Sequence, residues 1–273
     1  MKLINTTIKS IRNTDIPVSI VDAEVDNAGL VIFAHGFKAD RHEGGRFTRL
    51  ANMLSKIGIS SIRLGFPGCD ESKEEFYYYT LTNCLNDLQT CYDYMKTNYS
   101  INENKMGLVG YSMGGRLVSL FIKNHPEFKV IGLWAPACLN DFINDDFLGC
   151  NVTQMKKQAK EKGYIDFNNI FDNTILKMNV ELIHDMENLH PNDGLNSFEG
   201  RAIIIHGDKD STVKPFVSSE VYKQLINAKD KKLVVIKDAD HGFGLWDKHP
   251  EQSIQLIEET YNYFEENLWN IKH

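Results

Sequence analysis

The sequence predicts an α/β fold: a mostly parallel, doubly wound sheet that carries one large insertion. Three observations lead there. Continuous apolar runs, among them LVIFAHG at 30–36, KMGLVGY at 105–111, KVIGLWA at 129–135 and RAIIIHG at 201–207, read as strands buried on both faces. Amphipathic stretches at helical spacing separate most of them, and such alternation means a parallel sheet covered on both sides. One connection, about 136–199, runs to roughly 65 residues where a short link is usual.

Taken in order, residues 1–25 predict a β-hairpin, IKSIR and PVSIV flanking a turn at Asn13-Thr14-Asp15, which adds an antiparallel edge to the sheet. After strand 30–36, Phe47, Leu50, Met53, Leu54 and Ile57 recur at helical spacing over 46–57. ISSIRL (59–64) is a short strand, and 80–96 is a second helix with Leu81, Leu85, Leu88, Tyr92 and Met95 on one stripe. Strand 105–111, helix 113–124 and strand 129–135 follow, and then the long connection. It contains helical-looking pieces, TQMKKQAKEKG and NTILKMNVELIHDM, and many aromatics, so it predicts an inserted cap over 136–199 rather than a bare loop. The core, 1–135 and 200–273, resumes with strand 201–207, a helix at 215–227, strand KLVVIKD at 232–238 and a closing helix at 250–268.

Composition removes several function classes. The 273 residues are 42% hydrophobic and 25% charged, a globular profile, and the net charge of −7 has no Lys/Arg run to offer a nucleic-acid backbone. No apolar stretch reaches the roughly 18 residues of a membrane span, and the N-terminus lacks the apolar core of a secretion signal. A cytoplasmic protein without nucleic-acid or membrane partners is the expectation. Cysteines 69, 84, 91, 138 and 150 form no CxxC and predict reduced thiols, with Cys84 and Cys91 on one buried helix face.

The chemistry concentrates at Gly110-Tyr111-Ser112-Met113-Gly114, a G-x-S-x-G pattern with an apolar strand before it and an amphipathic helix after it. A nucleophile on so tight a turn needs small residues two before and two after, and the turn lifts the serine oxygen to a helix N-terminus that favours developing negative charge. An incidental serine in a Gly-rich turn is the alternative, and the strand–helix context weighs against it. A neutral hydroxyl also needs a base held by a third group. His241, in DADHGF, follows strand 232–238, and Asp210, in HGDKDSTV, follows strand 201–207, in the chain order Ser, acid, His that this turn requires. Asp208 is the rival acid in the same loop; Asp210 is preferred because it reaches further towards the ring. His125, His184, His190, His249 and His273 follow no strand, and His206 lies inside one as a packed residue. For the oxyanion, the expected donors are the amides of Met113 and of Phe37, in His35-Gly36-Phe37-Lys38.

With HGF at 35–37, FPGCDES at 66–72, GYSMGG at 110–115, HGDKD at 206–210 and DADHGF at 238–243, the chain resembles α/β-hydrolase esterases. More narrowly, it is similar to bacterial cinnamoyl (feruloyl) esterases and monoacylglycerol-lipase-like hydrolases. It departs from their pattern at Pro67, Cys69, Glu71 and Met113. The resemblance implies an α/β-hydrolase fold and hydrolysis of a small-molecule carboxylic ester through an acyl-enzyme, with no cofactor; thioester hydrolysis or acyl transfer by the same triad, and a ligand-binding protein without turnover, are the alternatives. It also implies that the insertion roofs the pocket. Trp134, Phe142, Phe147 and Phe171 are the candidate substrate-binding residues, and ordinary core packing is the alternative for each.

Overall fold

The computed structural model describes residues 1–139, 146–147, 150–169, 173–245 and 249–269, with 146–147 and 269 described in their backbone alone. β1 (Lys2–Lys9) and β2 (Asp15–Asp22) form the opening antiparallel hairpin, in register from Lys2 opposite Asp22 to Lys9 opposite Asp15. β3 (Ala28–Ala34), α1 (Arg46–Ser55), β4 (Ile59–Leu64), α2 (Leu81–Asn98), β5 (Ile101–Tyr111), α3 (Met113–Phe121) and β6 (Val130–Trp134) follow as the apolar pattern predicts.

Every residue of β3 is buried, because helices cover both faces of the sheet. Successive side chains point to opposite faces. Leu30, Ile32 and Ala34 therefore join one core with Leu88 and Leu117, while Val31 and Phe33 join the other with Phe47 and Leu50. Cys84 and Cys91 both lie in the first core, as their spacing predicts.

The long connection holds β7 (Asp146–Phe147), β8 (Cys150–Asn151), α4 (Val152–Lys162), β9 (Ile165–Asn168), β10 (Ile175–Met178), α5 (Glu181–Asn188) and α6 (Pro191–Ser197). The Asn151 side chain accepts from Gln154 N at 3.0 Å to start α4, and Gly163 at φ 78° ends it. The expected helical piece NTILKMNVELIHDM divides: Ile175–Met178 is a strand paired antiparallel with Ile165–Asn168, and only Glu181–Asn188 is helical. Ile165, Phe167 and Met178 are buried, so a tertiary pairing overrides the local helical pattern. α6 lies directly on α3, where a Cβ on Gly194 would stand 1.9 Å from the Ser119 carbonyl.

The chain returns through β11 (Arg201–Gly207), α7 (Phe216–Gln224), β12 (Asp230–Ile236) and α8 (Pro250–Phe264). The sheet order is β1-β2-β4-β3-β5-β6-β11-β12, with β1 and β2 the antiparallel edge of an otherwise parallel array. α1 and α8 cover one face; α2, α3 and α7 cover the other. The strand order reverses next to β3, and the C-terminal ends of β3, β5, β11 and β12 open on one rim, where ligands of such sheets bind. Among the described residues no helix is long and apolar enough to cross a membrane.

Candidate active site

Ser112 sits between β5 and α3 with φ 53° and ψ −114°, a strained conformation for a side chain with a Cβ. Close packing of the elements on either side holds it there. A Cβ on Gly110 would come within 2.4 Å of the Gly114 carbonyl oxygen, and one on Gly114 within 1.9 Å of that of Ala34. Ser112 N donates to Trp134 O at 2.8 Å, and Ser112 O accepts from Gly115 N and Ala137 N, both at 3.0 Å. The turn is thereby pinned to β6, and Oγ is left at the N-terminus of α3.

His241 Nε2 lies 3.1 Å from Ser112 Oγ, and His241 Nδ1 lies 2.6 Å from Asp210 Oδ2. The structure thus brings together the three residues that sequence reasoning selected. Asp210 Oδ1 accepts from the amides of Thr212 and Val213 at 2.8 and 2.9 Å. Burial would raise this carboxyl, but hydrogen bonds from His206 and His241 and from the Val213 amide outweigh it and hold the group down at about 2. Asp208, the rival, is exposed. His206 does more than fill its strand: Nε2 lies 3.1 Å from Asp210 Oδ2 and 2.8 Å from Val213 O, while Nδ1 meets Ser218 Oγ at 2.6 Å. The same carboxylate oxygen therefore faces two histidines.

On the opposite side of Ser112 lies the loop after β3. The His35 ring is wholly buried; Nδ1 donates to Gly36 O (2.7 Å) and Nε2 accepts from Phe66 N (3.1 Å). Burial pushes this imidazole down to about 4, so it is neutral and serves as a fixed peg. Phe37 follows, its ring edge-on to Phe76, Tyr79 and Phe167. The Phe167 contact joins this loop to the inserted segment. Met113 is the first residue of α3 and is buried. A cavity of about 340 Å³ opens beside Ser112 and His241, walled by Gly36, Ala39, Gly44, Tyr111, Thr212 and Leu245 and by the buried pair Glu43 and Arg46.

Trp134 requires a correction. It is fully buried on the face covered by α1 and α8, packs against Phe47 and donates from Nε1 to Thr260 Oγ1 at 2.9 Å, so it is core and not pocket wall. It neighbours the turn through its backbone carbonyl, while its side chain points to the far face of the sheet. Phe142 and Phe171 lie outside the described residues, and Phe147 is described only as backbone of β7.

Sequence reasoning missed Glu43, Arg46 and Arg116. The buried Arg116 guanidinium, pushed down to about 10 by burial, donates to the carbonyls of Ala137 and Met186 and so ties α3 to the inserted segment. For Arg46 and Arg116 a polar residue inside an amphipathic run was the available signal. Among the described residues, no group of three or more His, Cys, Asp or Glu could hold a metal.

A strained serine between strand and helix, with a histidine and an aspartate arriving on loops after the later strands of a mostly parallel sheet, defines an α/β-hydrolase, and the protein is a serine hydrolase. The prolyl oligopeptidase family model matches residues 70–270, and the chain belongs to that family. No curated protein matches it. Among solved structures it is similar to Est1E from Butyrivibrio proteoclasticus with ferulic acid bound, at 20% identity and TM-score 0.79, over 96% of this chain and 98% of that one. It is likewise similar to an esterase domain from Rhodothermus marinus, at 14% identity and TM-score 0.69, over 98% and 100%. A third is an esterase of Pyrococcus furiosus, at 18% identity and TM-score 0.69, over 98% and 93%. At these identities the likeness is one of fold.

Proposed function

We propose that the chain is a serine carboxylesterase acting on small to medium carboxylic esters, aromatic (cinnamoyl-type) acids among them, through Ser112, His241 and Asp210. The observation that carries this reading is the placement of His241, 3.1 Å from Ser112 Oγ and 2.6 Å from Asp210 Oδ2.

Ser112 Oγ attacks the ester carbonyl as His241 Nε2 takes its proton, and Asp210 holds the Nδ1–H tautomer and faces the imidazolium that forms. The amides of Phe37 and Met113 receive the oxyanion. His241 then gives the proton to the departing alkoxide oxygen as the C–O bond breaks, leaving the acyl group on Ser112. Water, losing its proton to the same nitrogen, attacks the acyl carbon and releases the acid.

The size of the cavity supports modest substrates, since about 340 Å³ is at the small end for ligand sites. The inserted segment supports them too. Its described surface carries ion pairs, Lys156 with Glu187 and Lys162 with Asp166, where an interfacial lipase would present apolar area. In this reading the inserted segment, 136–199, roofs the site. The bound ferulic acid of Est1E supports the aromatic option.

The family's name favours a second reading, cleavage of peptide bonds by the same groups. Kinetics on a nitrophenyl butyrate, methyl ferulate, a peptidyl nitroanilide and an emulsified long-chain triglyceride separate the two, with fluorophosphonate labelling located by mass spectrometry. One label on Ser112 and preference for the soluble esters are expected. A label elsewhere overturns the nucleophile, preference for the anilide establishes the peptidase, and preference for the emulsion sinks the small-ester reading.

A further inference from the structure

Three consecutive residues before α1, Glu43, Gly44 and Gly45, have φ of 49°, 60° and 90°. A left-handed glutamate is uncommon, and so contorted a run persists only where the surroundings impose it. Asp40 imposes part of it, accepting from the amides of His42 and Glu43 at 2.6 and 3.0 Å. The result is to turn the Glu43 side chain inward, away from solvent, where it is 4% exposed.

Glu43 Oε1 accepts from Gly36 N at 2.6 Å, directly before Phe37 in the loop after β3. Glu43 Oε2 meets Arg46 Nη2 at 3.3 Å. Arg46 in turn donates from Nε to Glu43 O at 2.9 Å and from Nη1 to Gly242 O at 2.6 Å, so one guanidinium spans from α1 to the loop that carries His241. Its carbon stands 5.0 Å from the centre of the Tyr111 ring, and Tyr111 Oη donates to His241 O at 2.8 Å. Two successive carbonyls of the histidine loop, those of His241 and Gly242, are thus gripped from this one cluster. The same cluster holds the His35–Gly36 peptide, next in the chain to the one that carries the Phe37 amide.

We propose that Glu43 and Arg46 are positioning residues that hold the Phe37 amide and the His241 ring in register with one another across Ser112. The inference rests on the hydrolytic reading above. A buried ion pair is a poor source of net stability, so its retention beside the reacting groups calls for another reason. Geometry supplies one, because developing charge on the ester oxygen is stabilised only by donors already aimed at it. Burial pushes the Glu43 carboxyl up to about 7, which shows how far the site opposes a charge there. A lysine at 46 has no fork with which to reach Glu43 O, Glu43 Oε2 and Gly242 O together.

Glu43→Ala, Glu43→Gln and Arg46→Lys would be compared with the wild-type protein on a nitrophenyl butyrate, each corrected for the fraction of Ser112 labelled at completion by a fluorophosphonate. An aryl trifluoromethyl ketone reports on oxyanion binding. Glu43→Ala and Arg46→Lys are expected to lower kcat about 100-fold with little change in KM, the size of effect that a displacement near 1 Å produces. Ketone affinity should fall in proportion, and Glu43→Gln, which still accepts from Gly36 N, should lose less. Should Glu43→Ala fail to fold, as judged by circular dichroism, Arg46→Lys and Glu43→Gln decide alone. Unchanged kcat in the folded variants, a loss confined to KM, or unchanged ketone affinity beside a lowered kcat overturns the proposal. A wild-type protein that takes no label at Ser112 overturns the hydrolytic reading and this one with it.

Discussion

Gly114 passes so close to Ala34 that a methyl group on its Cα would lie 1.9 Å from the Ala34 carbonyl oxygen. The contact presses α3 against the end of β3, and the strained Ser112 is a consequence of it. Gly114→Ala should therefore push α3 outward and abolish labelling of Ser112 by a fluorophosphonate, with a loss of stability that thermal unfolding would register. Gly163→Ala is the control: its φ of 78° makes alanine a strained choice, but nothing lies within 4 Å of the new methyl, so stability alone should fall.

The loop after β11 offers two carboxylates, and only Asp210 faces His241. Asp210→Asn should lower kcat by about three to four orders of magnitude, because the imidazole loses its tautomer. Asp208→Asn, at an exposed side chain, should leave kcat near the wild-type value. Steady-state kinetics with the nitrophenyl ester decide, and the reverse pattern would transfer the role to Asp208.

His206 shares the Asp210 oxygen and should influence its titration. The folded-state carboxyl at about 2 lies below the ordinary value of about 3.9 for an aspartate, so it contributes stability that is fully present above pH ~4 and lost as the pH falls to ~2. His206→Leu removes one of the hydrogen bonds that hold it down, and should cost about 1–3 kcal/mol at neutral pH. The gap between variant and wild type should narrow between pH 4 and 2. Urea unfolding across that range measures it, and a gap independent of pH would detach His206 from the carboxylate.

Trp134→Phe tests the placement of this side chain in the core beside Phe47. Loss of the bond from Nε1 to Thr260 Oγ1 should cost about 1 kcal/mol, since Thr260 Oγ1 keeps its own bond to Leu256 O. KM for aromatic and aliphatic esters should not move. A selective change for methyl ferulate would return the residue to the substrate pocket.

Much of this was legible in the chain. The strand runs were readable because burial on both faces leaves no polar gaps, as in β3, and the turn at Ser112 because only glycine fits at 110 and 114. Asp210 and His241, which the structure brings to Ser112, were selected by chain order and by their places after strands. The helical reading of 173–186 failed because Ile175–Met178 pairs with Ile165–Asn168, a partner that no local pattern announces. Trp134 failed for a different reason: a one-residue step along a strand moves a side chain to the other face, and only the register of the sheet tells which face that is.

The sequence by itself determined the order of strands and helices in the core outside 136–199 and selected the turn at Ser112 with Asp210 and His241 as its candidate partners, because each is written in a local pattern of apolar period, glycine and loop position. Only the tertiary structure decided which polar residues act together. Glu43 meets Gly36 and Arg46 meets Gly242, 7 and 196 residues apart, and His206 shares an oxygen with His241 across two strands. A hydrogen bond depends on distance and direction in space, and the chain acquires those only when the sheet closes its register and brings the loops to one rim.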